Sequence, residues 1–299
     1  MAVWPDGAKA SIAITLDNLG EAADLDRGLW PKNVPVGSHY SVTEVLPRIL
    51  ALLRKYDLPV TYFCEASNLS IYPDAIKSIV NAGHELAWHA WRHEAWASLD
   101  EEAEKANFAR SFGKDGMKGF ASTAKGLIKS YKGFRPPGGI IHGERTSALC
   151  KNYGVSYISP AGYDAALIPF NGDQEGMAIL PFRWSTVDAY YYMDSFSGLR
   201  KLKGKFSEEA QPPSTLVQEY KAEIDEAVNS GGYRSVLFHP FLTNDPVRLE
   251  AMDEILSYIA SLRASGNVWV SRCDSIAAWM YAHPRRFGQD PGWDRASWR

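Results

Sequence analysis

Apolar positions along this chain follow two alternating patterns. Short runs rich in β-branched and aromatic residues predict strands at Ser11–Leu16, Val60–Cys64, Glu85–Trp88, Gly133–Arg135, Ser156–Ile158, Ala178–Leu180, Ser235–Phe238 and Val268–Ser271. Longer stretches of helical period lie between most of them. In Thr43–Tyr56 the apolar residues fall at 45, 46, 49, 50, 52 and 53, a broad stripe on one helix face. Pro73–Gly83 opens on Pro and closes on Gly, as the first helical position and the C′ position prefer. Asp100–Phe112 carries acids in its first turn, where the helix dipole favours them. Ser214–Gly232 and Asp245–Gly266 are the clearest helices, each closed by Gly.

Strands alternating with helices predict an α/β fold, a parallel (β/α) barrel in preference to an open doubly wound sheet. No G-x-G-x-x-G follows a strand, so the usual dinucleotide signature is missing. Phe170–Gly176 and Ser195–Pro213 read as loops, the second long enough to act as a lid. No composition shift marks a boundary, so residues 1–299 read as one domain. The tail 283–299 has no period; its Trp293 and Trp298 predict that it docks on its own barrel or on a neighbouring subunit.

Composition narrows the possibilities. A chain of 299 residues that is 45% hydrophobic suits a single barrel with a large core. The net charge is −3 and no Lys/Arg block tracks a phosphate backbone, so nucleic acid is not an expected partner. The densest basic run, Gly198–Phe206, reads as a solvated loop. Cys64, Cys150 and Cys273 are odd in number and far apart, which is not a disulfide framework and fits a reducing compartment. The N-terminus runs directly into a strand without a secretory pattern, and no apolar run reaches the ~18 residues of a membrane span. The expectation is a cytoplasmic protein that does not engage membranes.

In a parallel barrel, residues just past the C-terminal strand ends share one mouth. Those positions hold Asp17 and Asn18, His89 and His93, Arg135, and His239. Three of the chain's seven histidines, His84, His89 and His93, lie within Ala82–Glu94. His89 and His93 are spaced i, i+4; on a helical turn both rings share one face, where Zn²⁺ could be clamped at ~2.0–2.1 Å. Packing among Trp88, Trp91 and Trp96 is an equal reading. Asp17 is either a turn or capping residue, or a carboxylate that burial obliges to be paired or metal-bound. Arg135 precedes Pro136, Pro137, Gly138 and Gly139, a rigid turn from which a guanidinium can fork onto a carboxylate. In Arg183–Tyr192, Trp184 and Asp188 suit a polar ring or an N-acyl group, and equally plain packing.

Taken in order, these pieces resemble the polysaccharide deacetylase superfamily, whose motifs read T-F-D-D, H-[ST]-x-x-H, R-x-P-x-G and L-x-L-H. The chain offers "TLDN" (Thr15–Asn18), "HAWRH" (His89–His93), "RPPGG" (Arg135–Gly139) and "VLFH" (Val236–His239). The resemblance covers about Ile12 to Pro246. It is nearest the intracellular branch of allantoinase-type and peptidoglycan-deacetylase-like proteins, through "DRGLWP", "FRWSTVDAYYY" and "HPFLTNDPVRLEAMDEIL".

This resemblance implies a distorted TIM-like barrel of seven or eight parallel strands and metal-dependent hydrolysis of a non-peptide C–N amide bond, with an N-acetylated sugar as substrate. It implies one divalent ion, Zn²⁺, held by His89 and His93 with Asp17 or Asn18. Asp17 would be the general base, His239 the acid to the leaving amine, and Arg135 the group that orients Asp17 or anchors substrate. Glu21, Trp91, Pro137, Gly138, Trp184 and Asp188 would face the substrate, Glu21 also being an acid near enough to replace a ligand. A homo-oligomer, dimer or tetramer, is implied as well.

Three positions depart from the family pattern. Asn18 stands where the second Asp is usual, Ala90 and Trp91 replace the polar start of the second motif, and Gly138 replaces an aromatic. Asn18 keeps two further readings open: allantoinase-like hydrolysis of a small cyclic ureide or imide, and a catalytically inactive barrel that binds carbohydrate.

Overall fold

All eight predicted strands form, and one curled sheet contains them together with a ninth. The computed structural model describes residues 3–124, 127–170 and 173–295. The strands are β1 (Ala10–Asp17), β2 (Thr61–Cys64), β3 (Glu85–Trp88), β4 (Gly133–Phe134), β5 (Tyr157–Ile158), β6 (Ala166–Phe170), β7 (Asp173–Ile179), β8 (Tyr233–Phe238) and β9 (Val268–Val270). Their order is β6-β7-β5-β4-β3-β2-β1-β8, with β9 added beside β1. β1 is the hub. β8 takes one of its edges from Ser11 to Leu16, while β9 (at Ala10–Ile12) and β2 (at Thr15–Asp17) share the other.

The alternation along β1 explains its place. Ala10, Ile12, Ile14 and Leu16 join the large apolar layer between sheet and helices. Ala13 lies in a second cluster with Phe63, Ala87 and Tyr157, on the concave side. With a side-chain period of two, Thr15 and Asp17 share that concave side. The polar end of an otherwise apolar strand is thereby carried to the mouth of the half-barrel.

Two stretches read as loops are structured. Of residues 170–176, Phe170 ends β6 and Asp173–Gly176 lie in β7, the sheet's antiparallel pair, while 171 and 172 lie outside the described residues; an irregularity falls between Ile168 and Phe170. Pro169 sits at that irregularity on an edge strand, where a missing N–H is tolerated. Between Ser195 and Pro213, Asp194–Phe196 is a 3₁₀ turn and Ser197–Lys203 a helix that ends at Gly204, with φ 69°. The basic run is therefore not a solvated loop. Arg200 is fully buried and donates to the carbonyls of Tyr190, Met193 and Glu208. Its planar fork satisfies carbonyls around the end of the Asp188–Tyr192 helix, where the helical ladder offers no partner.

The seam between β8 and the far edge is spanned at the mouth by residues 180–187. Leu180 and Phe182 donate to the carbonyls of Ile158 and Pro160, and Val187 bridges to Leu237 of β8. The tail docks on its own chain: Asp294 N donates to Ala161 O at 3.1 Å, and Lys203 pairs with Asp294. Trp293 packs against the main core, while Trp298 lies outside the described residues. Among the described residues, the three cysteines are free and buried, and no helix is long and apolar enough to cross a membrane.

Candidate active site

Asp17 ends β1 and is 4% exposed. Its charge is met from across the half-barrel. Arg135, the first residue past β4, is 1% exposed and donates Nη1–H to Asp17 Oδ1 at 2.7 Å and to Thr15 Oγ1 at 3.0 Å. The rest of its fork goes to Ser159 Oγ and Ser235 Oγ, and the guanidinium lies 4.0 Å over the Phe63 ring. Several strands thus converge on one guanidinium beneath one carboxylate. Oδ2 of Asp17 is left facing the mouth.

His89 follows β3. Its Nδ1–H donates to Arg135 O at 2.7 Å, which fixes the tautomer and leaves the Nε2 lone pair toward Asp17 Oδ2, 3.9 Å away. Burial pushes its pKa down to about 3, against the bond to Arg135 O and with help from the Arg135 charge. His93 is held well below the ordinary histidine range, first by burial, then by His89 and Arg27. The two rings lie 4.9 Å apart between centroids.

The turn that joins them is not helical, contrary to expectation. Ala90 and His93 have φ of 67° and 69°. Ala66 N–H and Ser67 N–H donate to the carbonyls of Ala90 and Trp91, and Trp91 N–H donates to Asn107 and Glu94. Bonds to the loop after β2 and to side chains thus replace the i→i−4 ladder. Arg27 Nη2 donates to His93 Nδ1 at 3.4 Å.

His239 follows β8. Its Nδ1 bonds Asp188 Oδ1 at 2.5 Å, and its backbone N–H donates to Asp188 Oδ2 at 2.7 Å. Burial lowers its pKa, but the Asp188 charge and hydrogen bond outweigh that and leave it raised. The site therefore holds neutral imidazoles on one side and an imidazole disposed to be charged on another.

Asp17, His89, His93 and His239 line a cavity of about 60 Å³, walled by Phe182, Trp184, Val187, Phe196 and Leu237. That is room for a few waters or a small acyl group. A cavity of about 600 Å³ adjoins it at His93, Phe196 and His239 and is bordered by Asn18, Asp24, Arg27, His39, Tyr40 and Phe241. The outer room is of the size that takes a small organic ligand.

The donor types fit a divalent cation. Two imidazoles are held neutral, and His89 Nε2 has no proton to displace; His93, whose Nδ1 accepts from Arg27, would have to give up that contact to turn a lone pair to the ion. The 3.9 Å separation of His89 Nε2 from Asp17 Oδ2 is too long for a hydrogen bond and leaves space for an ion or water between them. Among the described residues no three His, Cys, Asp or Glu side chains converge as a ligand cluster, so the fit lies in donor chemistry and in this pair.

The remaining expected site residues divide. Trp184 and Gly138 line the inner cavity; Pro137 is buried between Pro136 and Gly138, which do. Asp188 acts on His239 and does not border either cavity. Glu21 is fully buried, taking Gly37 N–H and Tyr72 O–H, and is not brought to the cluster. Trp91 packs under Arg110, 4.1 Å from its ring, and is not brought there either. Asn18 has a φ of 62° and borders the outer cavity, with Nδ2 given to Glu65 Oε1 at 2.6 Å. Glu65 itself escaped the sequence reading, although "YFCE" places it just past β2, where the strand-end rule looks. Burial pushes its carboxyl up to about 7 against the N–H groups it accepts.

Comparison with known proteins gives the family and the fold. The family model for polysaccharide deacetylases matches residues 7–158. Chitin deacetylase 1 of Saccharomyces cerevisiae is 34% identical over 180 residues, covering 52% of this chain and 56% of that one. The chain spans between about a quarter and a little over half the length of the curated relatives it matches. Among solved structures, a candidate polysaccharide deacetylase from Mycobacterium smegmatis has a TM-score of 0.76 at 23% identity, covering 98% of this chain and 96% of that one. PuuE allantoinase has a TM-score of 0.71 at 20% identity, covering 94% and 93%. At those identities the two structures show a shared fold.

Proposed function

The chain belongs to the polysaccharide deacetylase family, and from that premise we propose that it is a metal-dependent hydrolase that removes the acetyl group from an N-acetylated sugar. One observation carries the reading. Asp17, paired through one oxygen, and His239, backed by Asp188, face the same acyl-sized cavity.

A base and an acid are what amide hydrolysis requires at one carbon. Arg135 occupies Oδ1 of Asp17, so Oδ2 is the oxygen that takes the proton of the attacking water. As the water oxygen bonds the acetyl carbon, the C–N bond breaks. His239 gives its proton from Nε2 to the departing nitrogen, since Nδ1 is engaged by Asp188. The products are acetate and a free amine. Phe182, Trp184 and Phe196 limit water around the acyl group, and the outer cavity takes the sugar ring. His89 and His93, with the oxygen of Asn18, would hold a divalent cation, which when bound would supply Lewis acidity toward the amide carbonyl and lower the pKa of water toward ~7.

The test is acetate release from chitin oligosaccharides and peptidoglycan fragments by Zn²⁺- or Co²⁺-loaded protein, beside ring opening of cyclic ureides. Acetate release that chelation and His89→Ala abolish is the expected outcome. Ring opening without acetate release overturns the substrate. Neither reaction, together with sugar binding, overturns catalysis in favour of a binding barrel.

A further inference from the structure

We propose that Glu65 is the positioning residue for Asn18, and that the two form a polarity-matched pair in which the carboxylate turns the amide oxygen toward the cavity. The value of that oxygen to a cation rests on the metal reading above; the orientation of the amide does not.

Asn18 leaves β1 in a left-handed backbone conformation, which asparagine tolerates better than most residues. Its carbonyl accepts from Tyr62 O–H at 2.8 Å, which holds the backbone. The side chain is then set by Glu65, which is 1% exposed. Glu65 Oε1 takes Asn18 Nδ2 at 2.6 Å, and Oε2 takes Leu19 N at 3.0 Å and Asn68 Nδ2 at 3.1 Å. Every one of these partners is a nitrogen donor.

An ionised carboxylate only accepts, so with Glu65 charged the Asn18 amide spends its NH₂ there. Oδ1, on the other arm of the same planar group, is the atom left for the cavity that Asn18 borders with His93 and His239. An aspartate at 18 would place a second carboxylate at hydrogen-bond range from the first, where both cannot stay ionised. Asparagine at 18 and glutamate at 65 therefore belong together, and position 18 can carry a charge only where position 65 gives its own up.

Reversing the polarity tests this. In Glu65→Gln the new amide keeps its oxygen on Leu19 N–H and Asn68, offers NH₂ to residue 18, and turns Asn18 so that NH₂ faces the cavity. Asn18→Asp alone sets two buried carboxylates together. In the double variant, the amide introduced at position 65 donates to the carboxylate introduced at position 18. Thermal midpoints of the four proteins and Co²⁺ titration of each after chelation, read by its visible absorption, give two independent measures.

The expected result is a lowered midpoint for Asn18→Asp that the double variant recovers. Co²⁺ affinity should fall about 10-fold in Glu65→Gln, as for other groups that orient ligands, and match or exceed wild type in the double variant. Additive midpoint losses overturn the pairing. Recovered midpoints with unchanged Co²⁺ affinity in Glu65→Gln overturn its positioning role. A wild type that takes up no Co²⁺ refutes the metal reading and the role of Oδ1 in it, while the midpoint cycle still decides the amide's orientation.

Discussion

Replacing Arg135 by Met isolates the interaction on which the site is built. Arg135 is 1% exposed and spends its fork on Asp17 at 2.7 Å and on the hydroxyls of Thr15, Ser159 and Ser235. Methionine keeps most of the stem's volume, so the cavity term stays small. What is lost is the partner of a carboxylate that is 4% exposed. Leaving a buried charge unpaired costs about 3–5 kcal/mol, a large part of the ~5–15 kcal/mol that holds a domain folded. Asp17→Asn should cost a similar amount, because it strands the guanidinium instead. The double variant strands neither charge and gives up the guanidinium's hydrogen bonds to hydroxyls, each about 1.5–3 kcal/mol, a loss it shares with Arg135→Met. Urea unfolding of the four proteins measures the cycle. The double variant should be more stable than the sum of the single losses implies, by at least about 2 kcal/mol. Additive losses would show that Arg135 and Asp17 contribute separately and that their pairing does not organise the mouth.

Three other substitutions probe neighbouring parts. Asp188→Asn removes the group that raises the His239 pKa against burial; the charged ring is the acid, present below its pKa and lost as pH rises through it, so the alkaline limb of kcat should move to lower pH, and an unmoved limb would contradict the assignment. Gly133→Ala would set a Cβ 1.9 Å from Cζ of Tyr157, and should lower the unfolding free energy by at least the ~1–3 kcal/mol of an overpacked core; an unchanged stability would show that β4 and β5 can part. Arg200→Met uncaps the carbonyls of Tyr190, Met193 and Glu208 beside Phe196 of the cavity wall, and should raise KM more than it lowers kcat, whereas an equal loss in both would place Arg200 nearer the chemistry.

The strand ends were legible because apolar runs stop at polar residues. Asp17, His89, Arg135 and His239 could be placed at one mouth by that rule alone, and they border one cavity. Glu65 obeys the same rule, yet nothing in "FCEAS" says that its partner is an amide 47 residues earlier. The Asp188–His239 pair spans 51 residues and depends on how residues 180–187 cross the seam. The left-handed turn at Ala90 and His93 was hidden because neither is a glycine; bonds to Ala66, Ser67 and Asn107 impose it. Glu21 misled for the opposite reason: it follows a strand, but its carboxylate is consumed by Gly37 and Tyr72. Polar composition likewise concealed the start of β7 and the Ser197–Lys203 helix, while β6 is apolar but interrupted by Pro169; pairing and a buried arginine stabilise these segments.

The most direct measurement is the turnover of Asp17→Asn on an N-acetylated sugar, beside wild type loaded with the same cation. Wild type should release acetate, and the variant should be slower by at least about 100-fold, the scale of a lost general base. A variant that turns over at the wild-type rate would remove Asp17 from the chemistry and the amide-hydrolase account with it.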